Sequence, residues 1–286
     1  MKPARFEYRA PTDLSDVLEQ LNQYGDDARV LAGGQSLVPL MNLRLVQPAV
    51  LVSINRCSDL NTITQQDESL LFGARVRQVM AEECELVRKY CPLLLEALPY
   101  VGGQANRNRG TVCGSIAHAD PLAELPAVAL ALDAVVHVAS KYGTRRIAAE
   151  EFFLGELTTA LKPNEFLESI AFSRQSPDEH SIFLELGNRN HGFAVVGLAL
   201  RLVMRKGYCT LIRIVALGAG ITAKRIHSAE TILENSLVDK RVIALAIEAL
   251  RDEVDPPNDV HADANYRRHV LGVLLERALG SGENRW

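Results

Sequence analysis

Residues 107–121 are RNRGTVCGSIAHADP, a cationic stretch that passes into small residues and ends at a proline. An earlier stretch, residues 31–37, is LAGGQSL and follows a short apolar segment. Both stretches combine glycine with a hydroxyl side chain. Because glycine has no Cβ atom, its backbone can approach a ligand closely and adopt a positive φ. Successive N–H groups in such turns bind anions, so the two stretches together predict a cradle for the two charges of a pyrophosphate.

The glycines also fit a plainer interpretation, because glycine is the usual residue of any tight turn. Better-known nucleotide motifs are missing from the sequence. Gly218-Ala219-Gly220 lacks the third glycine of the dinucleotide-binding GxGxxG motif, and there is no GxxxxGK[ST] segment. The sequence therefore predicts either two ordinary turns or a nucleotide site of another type.

The composition indicates a folded protein of about two domains. The chain has 286 residues, 48% of them hydrophobic, and 31 basic against 35 acidic side chains give a net charge of −4. High apolar content and low net charge exclude intrinsic disorder as the main state, and a mildly acidic chain does not favour nucleic-acid binding. No window approaches the roughly 18 apolar residues of a transmembrane helix. The N-terminus lacks the apolar core of a secretory signal.

The cysteines and histidines predict neither a disulfide framework nor a metal site. Five cysteines are scattered along the chain without a CxxC pair, so reduced thiols in a cytoplasmic protein are expected. His118 and Asp120 lie two positions apart, as do His261 and Asp263, but two side chains are too few for a metal centre. Spacing alone cannot reveal a nucleophile–base constellation, and no catalytic residue is assigned.

Apolar periodicity predicts an alternation of short strands and helices. A first helix is expected over 12–24, capped by Thr12 and ended by Gly25. Residues 102–110 and 111–115 are expected to form loops. Strands are predicted over 29–32, 50–54, 70–74, 134–139, 167–172, 193–204 and 209–219, and helices over 79–90, 93–98, 122–132, 238–254 and 266–279.

A polar turn at residues 176–179 marks the predicted domain boundary. The first domain is expected over 1–177, with subdomains of about 1–55 and 56–177, and the second over 178–286. The second domain combines predicted strands with two helices that carry apolar stripes. The stripe of the first helix is Val242, Leu245, Ala246, Ala249 and Leu250. In the last helix, Val270, Val273, Leu274 and Leu275 fit a core stripe or, alternatively, a face for a partner chain.

The motifs together carry a family resemblance. Residues 32–36 and 107–121, followed by Glu124-Leu125-Pro126, resemble the two FAD signatures of the FAD-binding medium subunit of the molybdenum hydroxylase family. Phe183-Leu184-Glu185, with Arg189 and residues 193–197, resembles the start of the family's C-terminal domain. The family includes the carbon monoxide dehydrogenase, xanthine dehydrogenase, and nicotine, quinoline or caffeine dehydrogenase types.

The resemblance implies an α+β fold. This fold would be a two-subdomain FAD-binding fold of the vanillyl-alcohol oxidase type, followed by a C-terminal domain of an antiparallel sheet plus helices. It also implies that backbone N–H groups of the two glycine stretches hold the FAD pyrophosphate, that carboxylates bind its sugar hydroxyls, and that apolar side chains line its rings. The implied cofactor-binding residues are Leu31, Ala32, Gly33, Gly34, Gln35, Ser36, Leu37, Val101, Gly110, Thr111, Val112, Cys113, Gly114, Ser115, Ala117, His118, Asp120, Glu124, Leu167 and Phe193.

The resemblance further implies electron transfer within a complex. FAD in this chain would pass electrons from two [2Fe–2S] clusters of a small subunit to a terminal acceptor, while a molybdenum–pterin site in a large subunit oxidises the substrate. A dimer of heterotrimers is the expected assembly. The cofactor supplies this chemistry, so no side-chain base is required here. Two alternatives stay open: a self-contained flavin-dependent oxidase or dehydrogenase of the same fold, and a flavin-free assembly protein.

Three residues differ from the family pattern. Cys113 stands where many relatives have a glycine, Gly192 where an acidic residue is common, and Asn106 where relatives tend to be aliphatic. Cys113 is interpreted as a small buried hydrophobic residue. His191, next to Gly192, is interpreted as a surface histidine.

Overall fold

The computed structural model describes residues 1–189 and 192–280. The chain begins with a three-stranded parallel sheet, in which β3 lies between β1 and β2. Parallel neighbours need crossover connections, and two helices provide them. The elements are β1 (Glu7–Arg9), α1 (Leu14–Tyr24), β2 (Ala28–Leu31), α2 (Leu37–Asn42) and β3 (Val50–Ser53).

The first helix begins one residue later than its predicted cap. Asp13, not Thr12, is the N-cap, and its carboxylate accepts a 2.9 Å hydrogen bond from the Asp16 N–H. The prediction of Thr12 was wrong because the adjacent Asp13 is an equally good capping residue and the helical turn starts after it. The helix ends at Gly25, as predicted, where φ is +49°.

Residues 63–173 form a second unit around a five-stranded antiparallel sheet of order β4-β5-β10-β6-β7. Its helices connect the central strands, and β8 and β9 form a separate small hairpin. The elements are β4 (Ile63–Gln66), β5 (Ser69–Gly73), α3 (Gln78–Glu83), α4 (Glu85–Tyr90), α5 (Pro92–Ala97), α6 (Gln104–Arg107), α7 (Val112–His118), α8 (Glu124–Ala131), β6 (Val135–Ser140), β7 (Gly143–Ala148), α9 (Ala149–Phe152), β8 (Phe153–Gly155), β9 (Thr158–Thr159) and β10 (Phe166–Ser173).

The C-terminal part is a four-stranded antiparallel sheet of order β11-β12-β13-β14 with helices packed against it. The long strand β12 is almost entirely buried, which explains its nearly continuous apolar sequence, and β13 is buried from Ile214 to Leu217. The elements are β11 (Glu179–Gly187), β12 (Ala194–Arg205), β13 (Tyr208–Leu217), β14 (Lys224–Arg225), α10 (His227–Leu233), α11 (Lys240–Glu253) and α12 (Ala264–Gly280).

The structure corrects several predicted elements. The helix predicted over 79–90 is two helices, α3 and α4, separated at Cys84, whose backbone is extended. The predicted loops at 102–110 and 111–115 contain α6 and the first turn of α7. Strands β1, β4, β7, β8, β9, β11 and β14 had no predicted counterpart; most are short or half-exposed, so they lack a clear apolar pattern.

The C-terminal helices also differ in detail from their predicted stripes. In α11 the buried residues are Ile243, Ala246, Ile247 and Leu250, whereas Leu245 is 46% exposed. The predicted stripe was displaced by about one residue along the helix. Both sets of residues have helical spacing, and only packing against the sheet decides which set is buried. In α12, Leu274 and Leu275 are buried in the core, so the alternative of an exposed partner face there was wrong.

Helix α8 joins the units, since it contacts α5 and α7 as well as β12 and β13, and all eight of its residues are buried. The turn that follows α8 carries a group of ion pairs around Asp133, here called the charged joint. The Asp133 carboxylate lies 3.4 Å from Arg201 Nη1, 3.5 Å from Arg213 Nε and 3.6 Å from Arg225 Nη1, on β12, β13 and β14. In residues 1–189 and 192–280, no helix has the length and apolar content needed to cross a membrane.

Candidate functional site

A cleft of about 390 Å³ opens between the turn after β2 and the segment that precedes α7. It combines backbone of the first glycine stretch with two polar side chains from elsewhere in the chain. The lining residues are Leu31, Ala32, Gly33, Gly34, Gln35, Val38, Pro39, Asn55 and Arg109. The first five are among the predicted cofactor-binding residues. Arg109 lies in a stretch where the sequence leaves open a phosphate contact, a partner contact or a solvated loop, and Val38, Pro39 and Asn55 were not predicted.

The turn at residues 33–36 offers its backbone to the cleft. Gly34 adopts φ +74°, a conformation that favours glycine. Within the described part of the chain, no N–H group of residues 33–36 donates a hydrogen bond, although the next turn of backbone does, from Val38 to Gly34 O at 3.1 Å. Unpaired N–H groups in a concave turn are suited to bind an anion.

The two glycine stretches touch at Gly33. A Cβ atom placed there would overlap the carbonyl oxygen of Arg109 and would lie 2.8 Å from Gly110 Cα. Glycine at position 33 is therefore required for the close approach of the second stretch. The predicted convergence of the two stretches is present in the structure.

A hydrogen-bonded link holds the two sides of the cleft together. Asn55, from the turn after β3, donates from Nδ2 to Ala32 O at 3.1 Å. Arg77 donates from Nη2 to Asn55 Oδ1 at 2.5 Å and from Nη1 to Arg109 O. The series of hydrogen bonds Ala32–Asn55–Arg77–Arg109 thus connects the two stretches near the point where Gly33 meets the second stretch. Sequence analysis missed Asn55 and Arg77 because neither belongs to a glycine motif.

A second, more exposed link starts at Asn106, one of the residues that differ from the family pattern. Its Nδ2 donates to Gln35 Oε1 at 3.1 Å, and its Oδ1 accepts from the Gly103 N–H at 3.3 Å. Asn106 therefore joins α6 to the first glycine turn. An aliphatic side chain at this position could make neither bond.

The second glycine stretch uses most of its own donors. Thr111 is the N-cap of α7, and its Oγ1 accepts a 3.0 Å hydrogen bond from the Gly114 N–H. The Val112 N–H donates to Val76 O at 3.0 Å. A Cβ atom at Gly114 would lie 2.5 Å from Thr111 Oγ1, so glycine there allows the cap to form. Cys113 is buried and its Sγ donates to Phe72 O, and burial raises the pKa of its thiol.

Carboxylates gather beyond α7, where α8 meets the C-terminal sheet. Glu124 is buried in the first turn of α8, and burial, with a smaller contribution from Asp120, raises its pKa to about 7. Burial and then repulsion from Glu124 raise the pKa of Glu185, on β11, to about 8, and its buried Oε2 has no hydrogen-bond partner among the described residues. Asp120 Oδ1 accepts from the Leu122 N–H at 2.8 Å. Burial lowers the pKa of His118, and Asp120 opposes this change.

The remaining predicted site residues lie at varied distances from this cleft. Ser36 and Leu37 begin α2, next to the cleft. Leu167 is buried in the core, Val101 packs at the edge of that core, and Phe193 is 77% exposed before β12. Gly110, Ser115 and Ala117 lie on the second stretch, outside the cleft lining. His191 lies outside the described residues. All five cysteines are free, as expected.

The comparisons with known proteins match stretches of the chain that include all the residues of the cleft. A family profile described as the FAD binding domain in molybdopterin dehydrogenase matches residues 4–173. A second, the CO dehydrogenase flavoprotein C-terminal domain, matches residues 181–281. The chain belongs to the FAD-binding medium-subunit family of the molybdenum hydroxylases. The family resemblance of the sequence motifs is confirmed.

Members of this family resemble the chain over nearly its full length. The 6-hydroxypseudooxynicotine dehydrogenase complex subunit alpha of Paenarthrobacter nicotinovorans is 36% identical over 286 residues, which cover 100% of this chain and 97% of the relative. A carbon monoxide dehydrogenase structure from Hydrogenophaga pseudoflava, which lacks the Mo-pyranopterin moiety, superposes with a TM-score of 0.95 at 33% identity. The quinoline 2-oxidoreductase structure from Pseudomonas putida 86 superposes with a TM-score of 0.93 at 34% identity. Each alignment with a structure covers 98% of both chains.

Proposed function

We propose that this chain is the flavoprotein subunit of a molybdenum hydroxylase and binds FAD in the cleft beside Gly33. The observation that carries the proposal is the turn at residues 33–36, whose N–H groups have no acceptor among the described residues. Residues 33–35 of this turn line a cleft that Arg109 of the second glycine stretch also borders. In this role FAD would relay electrons from [2Fe–2S] clusters of a partner subunit to a terminal acceptor. FAD supplies one- and two-electron chemistry when bound.

The residues at the cleft fit a pyrophosphate. Gly33 and Gly34 present backbone without side chains, and Gly34 holds the positive φ that turns the N–H groups toward one side. Arg109 adds a cation to the lining, and the Asn55 side chain fixes the carbonyl of Ala32. This donor set has hydrogen-bond donors and positive charge where the ligand is negative.

We assign the other predicted residues by their place around this cleft. Residues 31–37 would contact the pyrophosphate directly, and residues 110–115 would support them, with Ala117 and His118 on the same helix. Asp120 and Glu124 would accept hydrogen bonds from sugar hydroxyls of FAD, since carboxylates are strong acceptors. Val101, Leu167 and Phe193 would provide apolar or aromatic surface for the ring systems. No residue of this chain is proposed as a catalytic acid or base.

The architecture proposed for the chain has three parts. Residues 1–55 and 56–177 would be the two subdomains of a vanillyl-alcohol oxidase-type fold, and residues 178–286 the C-terminal domain. The parallel sheet, the five-stranded sheet and the four-stranded sheet support this division. The proposed partners are a large molybdopterin subunit and a small [2Fe–2S] subunit. The three chains would form a heterotrimer, and two heterotrimers would form a dimer in the cytoplasm. The names of the relatives as complex subunits and medium chains support the partner assignment.

The test is to purify the chain alone and with its co-expressed partner subunits, record visible spectra, and identify the ligand released on denaturation. Bands near ~370 and ~450 nm with released FAD are expected for a non-covalent flavoprotein. A matched variant, Gly33→Ala, should lose the bands, whereas Gly103→Ala should keep them. A folded protein that is colourless with its partners and does not take up added FAD would contradict the proposal. Colour that stays with the denatured chain would instead favour the self-contained oxidase.

A further inference from the structure

Two arginines at the cleft, and a third nearby in the sequence, have no ion-pair partner among the described residues. Arg109 lines the cleft, Arg77 bonds two residues that line it, and Arg75 lies two residues before Arg77. In the described part of the chain, none of the three forms an ion pair with a carboxylate. By contrast, Arg107 pairs with Glu82 at 2.7 Å and Arg88 with Glu85 at 3.6 Å.

The charges of Arg77 and Arg109 are not neutralised by any described carboxylate, whereas Arg75 lies near Cys57 together with Asp13, Asp59 and Asp16. Burial, followed by repulsion from Arg109 and then Arg75, lowers the pKa of Arg77. Arg75 donates a hydrogen bond to Cys57 O at 3.2 Å, and this uncharged carbonyl does not neutralise the charge of Arg75. Unpaired charges of one sign at a cleft attract a ligand of the opposite sign, and the attraction is strengthened by partial burial.

Arg77 also has a directional role that the other two lack. A guanidinium has five N–H donors, and Arg77 uses one on Asn55 Oδ1 and one on Arg109 O. Those two acceptors belong to opposite sides of the cleft. Because a guanidinium is planar and rigid, its two bonds set the separation of the two sides.

We propose that Arg77 is a positioning residue for the phosphate end of FAD, fixing the width of the cleft through Asn55 and Arg109 while supplying, with Arg109, the positive charge that selects a diphosphate ligand. This inference rests on the proposed FAD site. It goes beyond that proposal by giving a part in phosphate recognition to Arg77, which does not itself line the cleft. The cleft therefore discriminates FAD from riboflavin, which has the same ring but no phosphate.

The experiment compares FAD and riboflavin binding to the deflavinated full-length chain by flavin fluorescence, over a range of salt concentrations. Wild-type protein should bind FAD more weakly as salt rises, because salt screens the arginine charges, while riboflavin binding stays nearly constant. Arg77→Gln should lower FAD affinity about 10- to 100-fold, the effect of losing hydrogen bonds made by a charged group, and should flatten the salt dependence. Riboflavin affinity should change less than about threefold, because its binding involves no phosphate.

Two further variants separate charge from general damage. Arg77→Lys keeps the charge but not the two-sided link, so its salt dependence should stay that of the wild type while its FAD affinity falls in between. Arg88→Gln removes an exposed arginine of α4 that already has an acidic partner, and should leave FAD binding unchanged.

The outcomes distinguish this inference from the proposal beneath it. If the wild-type chain binds no FAD, alone or with its partners, the FAD site itself is wrong. If it binds FAD but Arg77→Gln binds FAD equally well with an unchanged salt dependence, the role of Arg77 is wrong. Should Arg77→Gln fail to fold by circular dichroism, the wild-type salt series decides: equal salt dependence for FAD and riboflavin overturns the inference.

Discussion

The two glycine stretches resemble each other in composition but use their backbone in opposite ways. At residues 33–36 the N–H groups have no acceptor in the described part of the chain. At residues 110–115, Thr111 Oγ1 and Val76 O accept the donors of Gly114 and Val112. The first stretch therefore has N–H groups that are free to bind a ligand. In the second stretch most N–H donors are already used within the protein, and this stretch packs against the first.

The two stretches also need glycine for different reasons. Gly33 allows a close approach between segments distant in sequence, while Gly114 allows a cap within its own helical turn. Changes in the first should thus affect ligand binding more than stability, and changes in the second the reverse. Four variants test this difference.

Gly33→Ala should have the largest effect. The added methyl overlaps the Arg109 carbonyl, and forced backbone shifts of this kind cost about 1–3 kcal/mol, which corresponds to roughly 5- to 150-fold in FAD affinity if the shift falls on the binding turn. Fluorescence titration with FAD measures the loss. Gly103→Ala is the control, because a Cβ there comes no closer than 3.8 Å to any heavy atom, Asn106 Oδ1 being the nearest. Equal affinity in the two variants would mean that contact between the stretches does not shape the site.

Thr111→Ala should act mainly on stability. Loss of a threonine N-cap costs about 0.5–2 kcal/mol, so the urea midpoint should fall while FAD affinity changes less than about threefold, since Thr111 is not in the cleft lining. Thr111→Ser keeps the hydroxyl and should restore most of the lost stability. A large loss of FAD affinity in a stable Thr111→Ala protein would instead assign the second stretch a direct part in binding.

Glu185→Gln tests, through the pH dependence of stability, the carboxylates that lie beyond the second stretch. Burial raises the pKa values of Glu124 and Glu185 above the usual carboxyl value. Such groups bind more protons in the folded state, so they stabilise it at low pH, and this stabilisation is lost as pH rises through about 8. The half-buried histidines His118 and His137 have pKa values lowered by partial burial, so they titrate below the ordinary histidine value of about 6.5 and act in the opposite direction.

The clean window for this test therefore lies between pH 6.5 and 8. There the free energy of unfolding of the wild type should fall as pH rises, and Glu185→Gln should reduce the slope by less than one proton. Urea unfolding at several pH values measures it, and Glu168→Gln, which changes a half-buried carboxyl on β10, provides the control. An unchanged slope in Glu185→Gln would mean that this carboxyl titrates normally in the folded chain.

Asn106→Ala should have the smallest effect. It removes the exposed bond from Asn106 to Gln35, and a hydrogen bond of this type contributes about 0.5–1 kcal/mol, so FAD affinity should fall about two- to fivefold. Asn108→Ala removes a different exposed bond, the one that Asn108 accepts from Gln104 in the same region. If the two variants weaken FAD binding equally, the link to the first turn is not what matters at Asn106.

Sequence alone predicted the elements whose signals are local. The first glycine turn follows a short apolar strand, and α1 ends at a glycine, so both could be predicted from neighbouring residues. The helix α7 could not, because GTVCGS has poor helix formers and its N-cap becomes visible only when Thr111 is seen to bond Gly114. Asn55 and Arg77 were missed for a related reason: their partners are brought to them only by folding.

The joint at Asp133 has a consequence for the dynamics of the whole chain. The carboxylate pairs with three guanidinium groups from three strands of the C-terminal sheet. Arg201 also pairs with Glu179, and Arg225 with Glu150 and Glu230, so the joint is part of a larger network of ion pairs. We expect this network to make the turn after α8 and the C-terminal sheet open together. Hydrogen exchange should then show the amides of β6 and β12 becoming exposed at a common rate, as parts of one cooperative unit.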